Sequence, residues 1–216
     1  MNIKRDITCF FYRTFRWSRT FTFQGRSYHY FYHRHNTTWR NARAVELPII
    51  WEIVRNHHGK RILEVGNVLS HYFPVYHDVL DKYEKGEGII NEDVVDFKPS
   101  TKYDLMVSIS TLEHVGWDER PRDPLKVLRA IENLVNCLAP GGKLVATFPL
   151  AYNTELDKLL KDGNLQFTTQ HYLRRVSRDN RWEEAEWEHV RDAQYGYPYP
   201  RANALVVATI EGQSAE

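Results

Sequence analysis

Cysteine is scarce in this 216-residue chain: Cys9 and Cys137 are the only two. That excludes a disulfide framework and a cysteine-rich zinc site, and it fits a reducing, cytoplasmic compartment. Long apolar runs are missing too. No stretch approaches the roughly 18 residues of a membrane span, and the polar, basic N-terminus does not read as a secretory signal. Internal repeats and low-complexity tracts are lacking. What is present argues for a folded chain. Hydrophobic residues make up 42% and charged residues 26%, which excludes wholesale disorder. The length fits one domain, or at most two small ones.

The net charge of +1 hides a split. Residues 1–61 hold twelve Lys or Arg against three acids, so the rest of the chain is acidic. A basic head suits an anionic partner, whether a phosphate-bearing substrate, nucleic acid or a membrane surface, or else it docks on the acidic body of its own chain. Ile3, Phe10, Phe11, Phe15 and Trp17 stand among arginines as a minor peripheral membrane contact, although their spacing reads as irregular. No nucleic-acid module is recognisable.

Residues 1–40 read as a basic, aromatic, strand-rich extension, and 41–216 as a separate α/β unit. Gln24-Gly25 lies between two strand-like runs and predicts a hairpin turn. On the second run, to His35, Tyr28, Tyr30 and Tyr32 share one face, and His29, Phe31, His33 and His35 the other. No acid or cysteine nearby completes a metal set with these histidines, and no metal is expected. A helix is predicted over 41–57, kinked or restarted at Pro48. Strands are predicted at 61–66, 77–81, 103–109, 143–148, 170–176 and 204–211. Helices are predicted at about 124–138, stopped by Ala139-Pro-Gly-Gly142, and at about 154–161 with Asn153 as N-cap. Strands alternating with helices predict an open α/β sheet with parallel central strands, which binds ligands at the carboxyl ends of its strands.

Four segments occur in order: Ile62-Leu-Glu-Val-Gly66, an acid closing the second strand at Asp81, Tyr103-Asp-Leu-Met-Val-Ser-Ile-Ser-Thr-Leu-Glu-His-Val115, and Leu138-Ala-Pro-Gly-Gly-Lys-Leu144. With them the chain resembles the class I S-adenosylmethionine-dependent methyltransferases over about two thirds of its length. The resemblance implies a Rossmann-like, three-layer α/β/α fold, mostly parallel with an antiparallel last strand, and S-adenosylmethionine as cofactor. Gly66 is where backbone must pass close to a ligand, and Asp81 can accept both ribose hydroxyl protons. The resemblance further implies cofactor contacts at Glu64 in the first motif and at Asp93 and Val94 near the adenine, with Asp96 as the alternative acid.

The first loop departs from the family. Val68 and Ser70 stand where further glycines are usual, and valine tolerates positive φ poorly. Asn67 is the residue able to enter a left-handed turn. Only fourteen positions separate Gly66 from Asp81, so the usual first helix is expected to shrink to a turn or two. Asn67, Ser70, His71 and Tyr72 are candidates to replace the lost backbone contacts. His114 and His71 are the candidate general bases, Ser110 is a candidate contact at its strand end, and Tyr72, Tyr152 and Asn153 are candidate acceptor contacts. Tyr195-Gly-Tyr-Pro-Tyr-Pro200 reads as a defined loop, either an acceptor wall or a plain connection.

The expected activity is methyl transfer to a small polar acceptor at oxygen or nitrogen. Two other readings stay open: a non-catalytic module that binds an anionic partner through the basic head, with Val68 or Tyr72 filling the cofactor cleft, and a nucleic-acid methyltransferase.

Overall fold

The computed structural model describes residues 3–213; the C-terminal end of the 41–216 unit, at 214–216, lies outside the described residues. The strand-rich expectation for the head holds only in its middle. Ile3–Phe15 is a helix, α1. Its apolar residues recur at Ile3, Ile7, Phe10, Phe11 and Phe15, a helical period rather than a strand's. Tyr12 turns inward onto Tyr32 and Trp39, while Ile3, Ile7, Phe10 and Phe15 stay exposed. The hairpin follows as β1 (Thr20–Phe23) and β2 (Arg26–His29), antiparallel. Gln24 and Gly25 make its turn, both at positive φ, as a tight two-residue turn demands. β2 ends at His29, short of His35, opposite Thr20 at the start of β1.

α2 (Arg43–Asn56) passes through Pro48 as a single helix. Proline cannot bond the carbonyl four residues back, so that of Ala44 is orphaned. Phe31 N–H fills the gap, donating to Ala44 O at 2.9 Å. The extended chain after β2 thereby supplies the hydrogen bond that Pro48 removes.

Eight strands form the main sheet: β3 (Ile62–Val65), β4 (Asp78–Leu80), β5 (Ile89–Ile90), β6 (Tyr103–Ile109), β7 (Leu138–Pro149), β8 (Thr169–Arg175), β9 (Trp182–Ala185) and β10 (Ala204–Glu211). Their order is β5-β4-β3-β6-β7-β10-β8-β9. The first five in that row are parallel, and β10 is antiparallel to both β7 and β8. The expected Rossmann-like sheet with an antiparallel last strand is therefore present. α3 (Lys126–Asn136) and α4 (Thr154–Lys161) cover one face, and a short α5 (Trp187–Val190) lies near its edge. Two apolar cores flank the sheet: one joins α3 and α4 to Met106, Leu144 and Val206, the other joins α2 and the head to Val107, Val145 and Val207.

Two details differ from expectation, and one of the alternatives for the head is met. Ala139-Pro-Gly-Gly142 is not a turn before a strand but lies inside β7, at an irregularity in its pairing with β6. A Cβ on Gly142 would stand 2.7 Å from Tyr103 O, so only glycine fits there. β9 was not expected: its Trp-Glu-Glu-Ala is short, charged and at the sheet edge, as edge strands often are. The basic head is docked on its own chain, with Arg19 on Asp179 at 3.0 Å, Arg26 on Glu52 at 2.5 Å, and Gln24 N–H on Glu184.

Candidate functional site

The carboxyl ends of β3, β4 and β6 open into a cavity of about 260 Å³, with Val65, Gly66, Leu80, Asp81, Val94 and Thr111 among its walls. A second cavity of about 250 Å³ lies beside it, with Arg43, Glu46, Ser110, Glu113, Tyr152 and Tyr195 among its walls. Among the described residues His114 alone lines both.

The crossover after β3 is as short as expected, a single 3-10 turn at Leu69–His71. Gly66 takes the left-handed conformation itself, at φ +85°. Asn67 is not left-handed, and Val68 has an ordinary φ of −113°. The close approach at Gly66 is to the protein: a Cβ there would lie 2.3 Å from Thr111 Oγ1. Glu64 is fully buried. Its Oε1 accepts from Val68 N–H at 2.9 Å and Leu69 N–H at 2.7 Å, and its Oε2 lies 3.0 Å from His77 Nε2. Fully buried and in the wall of neither cavity, Glu64 supports the loop.

The other loop candidates turn away from the cavities. Asn67 donates its backbone N–H to Asp81 Oδ2 at 3.0 Å and its side-chain amide to Glu84, and it accepts from the Ser70 hydroxyl. His71 stacks on His35 at 4.4 Å and faces Glu84, and Tyr72 packs on Phe31, His33 and His35. None of Asn67, Ser70, His71 or Tyr72 lines either cavity. After so short a crossover His71 and Tyr72 pack on the head, while Asn67 and Ser70 tie the loop to Asp81 and Glu84.

Asp81 lines the first cavity while tying two loops together. Its Oδ1 accepts from Tyr83 and Glu84 N–H, and its Oδ2 from Asn67 N–H. A carboxylate oxygen can accept two hydrogen bonds, so Oδ2 keeps one acceptor position. Asp93 sits at the edge of the same cavity, bonded by Lys126 at 2.6 Å and Lys82 at 2.8 Å. Burial pushes its carboxyl up, but the two ammonium groups outweigh burial and hold it at about 2. The same lysines bind Glu119, so the four charges form a closed network. Val94 keeps its expected place in the wall.

In the second cavity the buried Glu46 of α2 reaches the ends of β6 and β7. Its Oε1 accepts from the Ser110 hydroxyl at 2.5 Å and the Thr147 hydroxyl at 2.7 Å, and its Oε2 pairs with Arg43 at 2.9 Å. Ser110 therefore serves this cavity and not the cofactor side. Asn153 serves neither: it is buried, its Oδ1 caps α4 by accepting from Glu155 and Leu156 N–H, and its amide donates to Glu113 O at 3.0 Å. It holds Glu113 in place and leaves no group for an acceptor.

His114 Nδ1 lies 2.5 Å from Asp118 Oδ2, and the Tyr152 hydroxyl donates to the same oxygen at 2.7 Å. Burial raises the Asp118 carboxyl, but these two hydrogen bonds prevail and keep it below its ordinary value. An ionised Asp118 fixes the proton of a neutral His114 on Nδ1 and leaves Nε2 as acceptor. Glu113 Oε1 is 3.7 Å from that Nε2. Glu113 itself is 1% exposed, and its Oε2 has no hydrogen-bond partner among the described residues. Burial pushes its carboxyl up to about 8. Backbone strain gathers here as well. Asn36, Ser110 and Arg201 line the cavity at φ of 50°, 39° and 73°, and Ala151, beside Tyr152, stands at 64°. Such residues persist only where their surroundings enforce them, which is common at functional sites.

Sequence reasoning missed Glu46, Glu113 and Asp118. Asp118 was within reach, four residues beyond His114 in a turn. Glu46 comes from a helix some sixty residues upstream and left no signal.

No family model and no curated protein matches the chain. Among solved structures, it is similar to the N-methyltransferase NodS from Bradyrhizobium japonicum WM9 in complex with S-adenosylhomocysteine, at 15% identity over 80% of this chain and 93% of that one, TM-score 0.46. It is similar to an rRNA methylase from Streptococcus thermophilus at 12% identity over 78% and 97%, TM-score 0.47. A methyltransferase from Clostridium acetobutylicum ATCC 824 is similar at 9% identity over 98% and 100%, TM-score 0.43. The strand order, with β10 inserted antiparallel between β7 and β8, is the mostly parallel, Rossmann-like arrangement that the sequence resemblance implied.

Proposed function

We propose that the chain is an S-adenosylmethionine-dependent methyltransferase whose acceptor is a small polar molecule methylated at nitrogen or oxygen. The observation that carries this reading is the meeting of two cavities at His114, at the carboxyl ends of the central strands, where ligands bind on such sheets. Each cavity falls just short of the roughly 300–1,000 Å³ of a typical small-molecule site, and together they lie within it.

The residues of the first cavity fit the cofactor. Val65, Leu80, Val94 and Val115 offer apolar walls to a purine, and Asp81 keeps an open acceptor position for a ribose hydroxyl. Asp81 and Glu92 add negative charge to the lining beyond the network of Asp93 and Glu119 with Lys82 and Lys126, which favours a cationic sulfonium. Neither Val68 nor Tyr72 lines either cavity, which speaks against a cleft filled by the first loop. When bound, the cofactor would supply an electrophilic methyl group.

The second cavity would hold the acceptor, bounded by Tyr152 and by Tyr195 of the 195–200 loop. His114 Nε2 would take the proton the acceptor gives up. Asp118 orients the imidazole and stabilises its charged form, and Tyr152 steadies Asp118. A positioned general base contributes roughly 10²- to 10⁴-fold to rate. With methyl-labelled S-adenosylmethionine and a panel of small amines and alcohols, label should enter a small molecule. His114→Ala should cut the rate by about 10²-fold or more. Label that never leaves the cofactor, or a His114→Ala enzyme as fast as wild type, would overturn the reading.

A further inference from the structure

The second cavity holds a buried acid with one carboxyl oxygen unmatched among the described residues. Glu113 is buried, lines the cavity, and leaves Oε2 without a hydrogen-bond partner among the described residues. Buried carboxylates are ordinarily paired, because an unmatched one loses its hydration without recompense. The nearest cation of the cavity does not pair with it: Arg43 is held by Glu46 Oε2. His114 Nε2, at 3.7 Å from Oε1, is beyond hydrogen-bond distance, and its Nδ1 is engaged by Asp118. Glu46 and Arg201 line the same wall, and so do the rings of Tyr152 and Tyr195, 5.1 Å apart, aromatic groups of the kind that attract cations. Glu113 is not a flexible surface acid that finds its own place. It follows Leu112 in the turn after β6, and Asn153 clamps its carbonyl.

We propose that the methyl acceptor is an amine, bound in the second cavity as its ammonium form with Glu113 Oε2 as counter-ion. This rests on the methyl-transfer reading and narrows it to nitrogen. An ammonium supplies what Oε2 lacks, an N–H donor, and brings a positive charge against the buried carboxylate. An ammonium nitrogen has no free electron pair. The one proton it must lose passes from nitrogen to His114 Nε2: an N–H bond breaks, its electron pair stays on nitrogen, and a new N–H bond forms on the imidazole. Glu113 here is a binding residue, and His114 remains the proton acceptor.

The groups that face Glu113 are Glu46 and Arg43 from α2, His114 and Asp118 beside it, Tyr152 after β7, and Tyr195 from the loop before β10. Burial, helped by Glu46, keeps its carboxyl largely protonated near neutral pH, against the lowering effect of its own backbone N–H and of Arg43. Pairing with an ammonium would therefore expel about one proton.

Benzylamine and benzyl alcohol are probes of similar shape that differ in this charge. Titrated calorimetrically near pH 7 in two buffers of different ionisation enthalpy, benzylamine should bind at least roughly tenfold more tightly than the alcohol and release close to one proton. In Glu113→Gln, which keeps the shape and a donor but not the charge, both the preference and the proton release should vanish. Equal binding of the two probes, no detectable binding of benzylamine, or a preference that survives in Glu113→Gln would overturn the proposal. A parallel titration with S-adenosylhomocysteine separates the two claims. If it binds while the amine preference fails, methyl transfer stands and the amine site falls. If the amine preference holds and it does not bind, the amine site stands without the activity.

Discussion

Glu113→Gln should make the protein more stable at mildly alkaline pH and flatten the dependence of its stability on pH. Burial lifts the Glu113 carboxyl from 4.5 in an unfolded chain to about 8 in the fold. The folded state thus holds this proton more tightly. The stability that linkage contributes is complete below pH 4.5 and is lost as pH rises through about 8. Each tenfold gain in proton affinity corresponds to about 1.4 kcal/mol, so the loss across this window is on the order of 3–5 kcal/mol. Glutamine carries no proton to lose. Denaturant unfolding at several pH values across the window should show the wild-type midpoint falling steeply, and the variant's falling much less. Asp157, which burial lifts to about 6, keeps a shallower slope in both proteins. Parallel curves for wild type and variant would mean that Glu113 is not the buried acid described here.

Gly66→Ala should be the most damaging single-methyl change in the first loop. Two independent costs add at this residue. The left-handed conformation at φ +85° costs an alanine roughly 1–2 kcal/mol. Its methyl would also lie 2.3 Å from Thr111 Oγ1 and 2.6 Å from Thr111 Cγ2, an overlap of the kind that costs typically 1–3 kcal/mol. The sum is about 2–5 kcal/mol, or a fall in Tm of roughly 5–15 °C for a chain of this size. Combining it with Thr111→Ala should recover much of the overlap, leaving the backbone cost and the 2.9 Å approach to the Thr111 Cβ position. A Tm unchanged by Gly66→Ala would show that the turn is not held as described.

The sheet was legible because its central strands are continuous apolar runs of the right length. Tyr103–Ile109 and Ala204–Glu211 fall where the sequence places them, and so does α4 with its Asn153 cap. α1 was hidden by composition: its aromatic and β-branched residues favour strand, and only their three- and four-residue spacing favours helix. At the site, Asp81, Asp93, Val94, His114 and Tyr152 were legible because each follows or flanks a strand end, and all five line a cavity. The first loop was not legible. Its polar residues look like ligand groups in sequence, yet Glu64, Asn67 and Ser70 spend their hydrogen bonds on one another and on the loops around them. Spacing shows that a residue is near a strand end, but not which way a short crossover turns it. Glu46 and Glu113 stayed hidden because their importance comes from burial and a missing partner, properties that exist only once α2 has folded over the strand ends.

The central claim is that the cavity beyond Gly66, walled by Val65, Leu80 and Val94 and edged by Asp81, receives a nucleoside sulfonium. Calorimetric titration of the full chain with S-adenosylhomocysteine tests it most directly. The account predicts saturable binding at one site per chain, weakened about five- to a hundredfold by Asp81→Ala as a hydrogen bond to a charged group is lost. Absence of heat at millimolar ligand, with the protein folded, would contradict it.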